Sequence, residues 1–166
     1  EKVQPNNLTA SEIDVRLGAT WIPPEDIQRF VIELLKPAYY ASSKIKVHYS
    51  QLTAQWRISS KTGDYGNVTA NVTYGTKRIN AYKIIEETLN LKDVRIFDTV
   101  YDESSGEKRV LNRNETVLAQ QKQQLIKDAF RDWIWKDPDR RDRLTTLYNT
   151  RFNSIRPREY DGSHIR

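Results

Sequence analysis

The sequence predicts an α+β fold: an antiparallel sheet of about four to five strands, with short N-terminal helices and two C-terminal helices packed on it. Apolar residues recur with helical spacing towards both ends of the chain, apolar and polar residues alternate in its middle, and turn-rich segments separate the alternating runs. A length of 166 residues suits one hydrophobic core. We therefore expect one accessory domain over residues 1–166, with 1–8 and 156–166 as extended linkers to neighbouring domains.

Two helices are predicted before the first strand. Thr9 and Glu12 have the spacing of a capping box, so a short helix of about two turns is expected to begin there and to end at Gly18. A longer helix is expected between Pro23-Pro24 and Pro37, because apolar residues recur three and four positions apart and proline does not continue a helix. The apolar positions of this helix are Ile27, Phe30, Val31, Leu34 and Leu35.

The middle of the chain is predicted to form an antiparallel meander. Apolar and polar residues alternate over 44–49, 55–58 and 68–74, and the turn-rich stretch 61–67 precedes the last of these runs. Side chains of alternate residues point to opposite faces of a strand. On the first strand, the polar face is predicted to carry Lys44, Lys46 and His48.

The second half of the chain is predicted to place a hairpin between helices. Ala81–Leu89 has helical periodicity, and the strands Val94–Tyr101 and Lys108–Leu111 are separated by an acidic turn. One long helix is expected from a cap at Asn114 to about Trp135, and a last helix starts at Asp137-Pro138.

The net charge of +5 is unevenly distributed. Residues 36–83 carry eight basic groups and one acidic group, Asp64. Residues 113–166 carry a second excess, with twelve basic and eight acidic groups. Basic residues gathered in this way favour binding to nucleic-acid phosphates, because lysine and arginine release the counterions condensed on DNA.

The candidate DNA contacts lie in both basic regions. In the first, aromatic residues are interleaved with the cations, but strand alternation favours core positions for Tyr49, Trp56 and Tyr74. In the second, a helix following DNA phosphates and an ordinary solvated helix remain equal alternatives. The candidate DNA contacts are Lys44, Lys46, Arg57, Lys61, Lys77 and Arg78 in the first region and Arg140 and Arg141 in the second.

No catalytic, metal or cofactor site is predicted. The chain has no cysteine, and its two histidines, His48 and His164, are far apart in sequence. Asp137 and Asp139 are better explained as first-turn residues that offset a helix dipole. The acidic residues of 98–107 lack the spacing of a calcium loop, and the glycine-containing turns lack the Walker and dinucleotide patterns.

Composition also bears on location. No apolar run approaches the roughly 20 residues that a transmembrane helix needs, and the first residues do not resemble a signal peptide. We therefore expect a cytoplasmic protein without a membrane partner. The absence of methionine leads us to expect a segment from the interior of a larger protein.

Five stretches resemble part of a known family. They are Ser11–Ile22, Tyr74–Tyr82, Ala129–Trp135, Tyr148–Asn153 and Arg158–His164. Together they are similar to a stretch of very large bacterial proteins that join an adenine-specific DNA methylase to a Swi/Snf-type, superfamily two, DNA helicase. Such proteins are carried on conjugative elements and phages.

The resemblance implies a position before the helicase motor and a role in a protein that modifies and translocates on DNA, for restriction-modification or defence. The ATP-binding loop and the methylase motifs of that family do not occur in this chain, and Pro23-Pro24 is no substitute for the methylase Pro-Pro motif. The implied function is therefore a non-catalytic domain that contacts DNA. The alternative is a structural coupler that docks the neighbouring methylase and helicase domains through protein–protein contacts without binding DNA.

Overall fold

The computed structural model describes residues 7–153, in which helices alternate with two short hairpins. The helices are α1 (Pro24–Leu35), α2 (Tyr39–Ser42), α3 (Ala81–Leu89), α4 (Arg113–Ile134) and α5 (Pro138–Tyr148). The strands are β1 (Val47–Ser50), β2 (Gln55–Ile58), β3 (Phe97–Asp102) and β4 (Gly106–Leu111). The predicted linker 156–166, most of the predicted linker 1–8, and His164 lie outside the described residues.

The prediction of a single sheet of four to five strands is wrong. Across residues 7–153 the strands form two separate antiparallel pairs, β1 with β2 and β3 with β4. The predicted third strand of the meander is instead a π-helical turn at Thr69–Thr73. Asn67 favours this turn, since its side-chain oxygen accepts a hydrogen bond from the Ala70 amide at 3.2 Å and competes with an extended backbone.

Helix side chains occupy the edge of β2 at which a third strand would have paired. The Trp56 amide donates to Asn90 Oδ1 at 2.8 Å, and Asn90 Nδ2 donates back to the Trp56 carbonyl at 3.0 Å. The Ile58 amide donates to Glu86 Oε2 at 2.9 Å. Glu86 lies in α3 and Asn90, four residues later, caps the end of that helix, so one side of the helix satisfies the strand edge.

Other extended segments are bound by helix side chains in the same manner. The Val47 amide of β1 donates to Gln28 Oε1 of α1 at 3.1 Å. The Ile96 amide, just before β3, donates to Thr116 Oγ1 of α4 at 2.9 Å. The hairpins therefore stay two-stranded because polar residues on helices take the place of strand partners.

Several predicted elements are confirmed with their boundaries. Helix α1 starts at the predicted prolines, and its end is marked by Lys36 in the left-handed conformation, φ 48°. Helix α3 spans the predicted residues. Helix α5 begins at Pro138, directly after its cap Asp137, whose carboxylate accepts from the Arg140 amide at 3.1 Å. The cap of α4 is Asn112 rather than the predicted Asn114.

The first predicted helix is shorter than expected. The capping box at Thr9 and Glu12 is present, but the helical turn covers only Ala10–Glu12. Ile13 is already extended, and burial then alternates, with Ile13, Val15 and Leu17 buried. This two-residue period is typical of an extended segment, and it overrides the helical spacing of Ile13 and Leu17.

The chain divides into two compact units, of which the larger is Leu17–Phe130. Its core includes Phe30 and Phe130, whose rings meet edge to face with centroids 5.0 Å apart. Tyr82, Ile84 and Ile85 of α3 are fully buried. The larger unit contains both hairpins and most of the candidate DNA contacts.

The other unit combines residues up to Arg16 with those from Arg131 onwards. Within it the Leu8 amide donates to Asn149 Oδ1 at 2.7 Å, and Asn149 Nδ2 donates to the Leu8 carbonyl at 2.9 Å. Ile134 and Leu144 are its most deeply buried side chains among the described residues. No helix between residues 7 and 153 combines the length and apolar character that crossing a bilayer requires.

Candidate nucleic-acid interface

The β1–β2 hairpin separates its apolar and basic side chains onto opposite faces. Ile45 and Val47 are buried, as are Trp56 and Ile58 on the paired strand. The alternation predicted for both strands is confirmed, but β1 starts at Val47 rather than at the predicted Lys44, so Lys44 and Lys46 precede the strand. Since both strand edges are bound by helix side chains, the outward face is carried on a well-anchored hairpin.

The outward face of this hairpin and the segment that leads into β1 both carry cations. His48 lies directly opposite Arg57 in the register, and Lys46 lies two residues before His48. Lys44, Lys46 and Arg57 are exposed, and within residues 7–153 none of their side chains has an ion-pair or hydrogen-bond partner. We name Lys44, Lys46 and Arg57 the hairpin cations.

Lys61, in contrast, is engaged by the protein itself. Its Nζ donates to Glu86 Oε2 at 2.8 Å and to the Ile58 carbonyl at 3.0 Å. Burial raises the pKa of Glu86, but hydrogen bonds from Lys61, the Ile58 amide and Lys83 outweigh it and hold the pKa below its ordinary value. The charge of Lys61 therefore stabilises a buried carboxylate that also binds the edge of β2.

Lys77 and Arg78 are neighbours with different surroundings. Arg78 donates to Asp98 Oδ1 at 2.7 Å and to the Phe97 carbonyl at 2.8 Å, which ties its loop to β3. The hydrogen bond from Arg78, followed by a hydrogen bond from Asn112, lowers the pKa of Asp98. Lys77 is exposed and has no side-chain partner in the described part of the chain.

Arg140 and Arg141 differ in the same way, in the unit that contains α5. Arg140 is buried, and its guanidinium donates to the carbonyls of Ile134 and Trp133 at the end of α4. It also lies 3.5 Å from the centroid of the Trp133 ring. Arg141 is exposed. The structure therefore uses Arg140 as a helix cap and leaves Arg141 accessible to solvent.

The aromatic residues of the first basic region are split between core and surface. Trp56 is buried and contacts the half-buried Tyr49, with ring centroids 4.9 Å apart. The core position predicted for Trp56 is thus confirmed. Tyr65 is exposed, and so are Tyr39 and Tyr40 of α2, for which the sequence led to no prediction. The sequence feature that could have indicated these exposed rings is the pair of tyrosines directly after Pro37-Ala38.

Asp102, one of the acidic residues of 98–107, serves a turn. Asp102 closes the β3–β4 turn by accepting from the Ser104 amide at 3.1 Å and from the Ser105 hydroxyl at 3.1 Å. The Ser104 amide, followed by the hydroxyls of both serines, lowers the pKa of Asp102. Over residues 7–153, no three His, Asp or Glu side chains are grouped so as to hold a metal ion.

Comparison with known proteins places the chain in a family. No curated protein and no solved structure matches it. A family model described as "Domain of unknown function (DUF8437)" matches residues 16–154, a range that contains α1 to α5, both hairpins and all the exposed cations named above. Because this match covers well over half of the sequence, the chain belongs to the DUF8437 family.

Proposed function

We propose that this chain is a non-catalytic accessory domain that contacts DNA in a cytoplasmic bacterial protein combining a DNA helicase with an adenine-specific DNA methylase. In this proposal the domain precedes the helicase motor and needs no cofactor of its own. The parent class rests on the sequence resemblance. The DNA contact rests on one observation. Arg57 on the outward face of the hairpin, and Lys44 and Lys46 in the segment that leads into β1, are exposed and have no side-chain partner within residues 7–153.

Unpaired surface cations suit phosphate binding for an energetic reason. A lysine already bonded to a carboxylate, as Lys61 is, must give up that contact before it binds a phosphate. Lys44, Lys46 and Arg57 lose only water and their own conformational freedom. The other outward residues of the β1–β2 pair are neutral or basic: His48 pairs with Arg57, and Ser50 pairs with Gln55 at the next outward position. Phosphates therefore meet no repelling carboxylate on the strand pairs of this face.

A salt titration with matched variants tests the proposal. The anisotropy of labelled duplex DNA is measured with the 166-residue chain at about 50 and about 200 mM salt. The salt slope is the decrease of the logarithm of the binding constant with the logarithm of the salt concentration. Each lost phosphate contact lowers this slope by roughly 0.9. The variant K44Q/K46Q/R57Q should lose about 2 to 3 units of slope. The control K92Q/R95Q/K108Q removes three exposed cations elsewhere in the larger unit and should leave the slope unchanged.

Two outcomes would overturn this proposal. One is the absence of binding to any DNA at the lower salt concentration. The other is an equal loss in both triple variants, which would show that only the net charge of the chain matters. Glutamate substitutions at the three hairpin cations provide a stronger version of the same test, since they replace attraction by repulsion.

A second candidate function is the structural coupler, and a different surface favours it. The β3–β4 hairpin exposes Val100, Tyr101, Val110 and Leu111. Exposed apolar side chains on a short hairpin suit a protein partner more than a phosphate backbone. If the domain is a coupler, it should co-purify with the separated methylase or helicase domain in nuclease-treated extracts, and V100S/V110S should abolish that association.

A further inference from the structure

Three exposed tyrosines come from two chain segments that meet. Tyr39 and Tyr40 form the start of α2, with 96% and 54% of their surface exposed, and Tyr65 in the 61–67 turn is 83% exposed. We call these three residues the tyrosine cluster. Their rings make little contribution to the core, whereas Tyr82, in the same unit, is completely buried.

A buried polar network fixes the two segments to each other. The Asp64 carboxylate, only 2% exposed, accepts from the Ala38 amide at 3.3 Å and from Asn67 Nδ2 at 2.7 Å. Asn67 Nδ2 also donates to the Leu35 carbonyl at 2.8 Å, at the end of α1. Tyr39 follows Ala38 and Tyr65 follows Asp64. The hydrogen bond from the Ala38 amide to the Asp64 side chain therefore joins the two segments one residue away from each ring.

The surroundings of the tyrosine cluster are basic. Lys36 lies three residues before Tyr39, and Lys44 lies four residues after Tyr40; both are exposed. The carboxylate that joins the two segments, Asp64, is buried and fully engaged, so it does not offer a free negative charge at the surface. Flat exposed rings beside cations combine the two elements with which proteins bind unpaired nucleotides, stacking on bases and attraction of phosphates.

We propose that the tyrosine cluster binds single-stranded nucleic acid, with bases stacked on Tyr39 and Tyr65 and the backbone phosphates drawn to Lys36 and Lys44. The inference rests on the proposed function and narrows its ligand. In a duplex each base already stacks on its neighbours, so the faces of its bases are closed to these rings. An unpaired strand leaves those faces open, and stacking does not depend on base identity.

Three labelled ligands separate stacking from charge. They are a short thymidine strand, a duplex of the same length, and an abasic strand that keeps every phosphate and lacks the bases. The 166-residue chain should bind the thymidine strand most tightly and the abasic strand about fivefold or more weakly, given the usual contribution of a stacked base. The variant Y39L/Y65L should bind the thymidine strand as weakly as the unsubstituted chain binds the abasic strand.

A matched control tests whether position matters. Tyr101 is 75% exposed but lies on the acidic β3–β4 hairpin, so Y101L removes an equally accessible ring where phosphates are repelled. Y101L should leave the affinity for all three ligands unchanged. Thermal unfolding of each variant should match that of the unsubstituted chain, since the substituted rings lie in solvent.

The outcomes distinguish this inference from the broader proposal. Equal binding of the thymidine and abasic strands, or no effect of Y39L/Y65L, overturns the stacking role while DNA binding by the hairpin cations stands. Binding to none of the three ligands overturns both. Weaker thymidine binding in Y101L as well as in Y39L/Y65L would also contradict the assignment, because any exposed tyrosine would then suffice.

Discussion

The Tyr82 hydroxyl donates a 2.7 Å hydrogen bond to Asp64 Oδ2, which links α3 to the turn that carries Tyr65. Both residues are buried, so this bond is formed away from bulk water. Asp64 in turn binds Ala38 and Asn67, and Tyr82 is therefore the core anchor of the tyrosine cluster. We therefore expect the stability of the segments that carry the cluster to depend on this hydrogen bond.

Replacing Tyr82 with phenylalanine should destabilise the chain by about 1–3 kcal/mol, because a buried carboxylate loses one donor while the ring volume is kept. Urea unfolding followed by tryptophan fluorescence measures the change. The control Y65F removes an exposed hydroxyl and should change the free energy of unfolding by less than about 0.5 kcal/mol. Equal stability of Y82F and the unsubstituted chain would contradict an anchoring role for the hydroxyl.

Tyr82 should also make the folded state sensitive to alkali. Burial, followed by the hydrogen bond and the charge of Asp64, raises the pKa of Tyr82 well above its ordinary value of 10.0. The folded state therefore retains a proton that the unfolded state releases, so this contribution is complete below pH 10.0 and decreases as the pH rises further. Stability between pH 9 and 11 should decline less in Y82F than in the unsubstituted chain, with Y65F as the control.

Glu86 should produce the opposite dependence on pH. Its folded-state pKa lies below the ordinary 4.5, so its contribution is present above that value and is lost as the pH falls through the folded-state pKa. E86Q keeps an acceptor for the Ile58 amide but removes the charge that Lys61 binds. The variant should be less stable at neutral pH by on the order of 1 kcal/mol and should lose less stability on acidification. E107Q, on the exposed β4 strand, should retain the profile of the unsubstituted chain.

Local sequence patterns predicted the elements whose signals are local. Helix α1 was predictable because the prolines fix its boundaries and its apolar residues share one face. The sheet was not predictable, because the edge of β2 is bound by Asn90, 34 residues from Trp56 in sequence, and no local pattern shows that pairing. The π-helical turn was missed because the side-chain hydrogen bond of Asn67 competes with strand alternation.

The candidate site divides in the same way. Strand alternation was sufficient to predict that Lys46 and Arg57 are exposed. It gave no means of recognising that Lys61 is bonded to Glu86, 25 residues away, or Arg78 to Asp98, 20 residues away. Charge counting treats all these cations alike, whereas only the folded chain shows which of them already have partners.

Lys77 and Arg78 allow that distinction to be tested in adjacent residues. K77Q should weaken DNA binding and lower the salt slope by about 0.9 without changing stability, because the Lys77 ammonium group has no partner among residues 7–153 and can bind a phosphate. R78Q should instead lower the free energy of unfolding and leave the salt slope unchanged, since it loses an exposed ion pair and a hydrogen bond to the Phe97 carbonyl. Anisotropy and urea unfolding are measured on both variants. Identical effects of the two substitutions in both assays would show that the difference in partners has no consequence.

Arg140 and Arg141 provide the corresponding test in the other unit. The last carbonyls of a helix lack donors within the helix. The Arg140 guanidinium donates to two such carbonyls of α4 and also stacks on Trp133. R140Q should therefore destabilise the chain by on the order of 2–3 kcal/mol, whereas R141Q, at an exposed position, should change stability by less than about 0.5 kcal/mol. If α5 follows DNA phosphates, R141Q should lower the salt slope of DNA binding by about 0.9, and an unchanged slope would identify α5 as a solvated helix. Because Arg140 holds the end of α4 through its charge and its planar shape together, R140K should recover only part of the lost stability, and full recovery would show that charge alone matters.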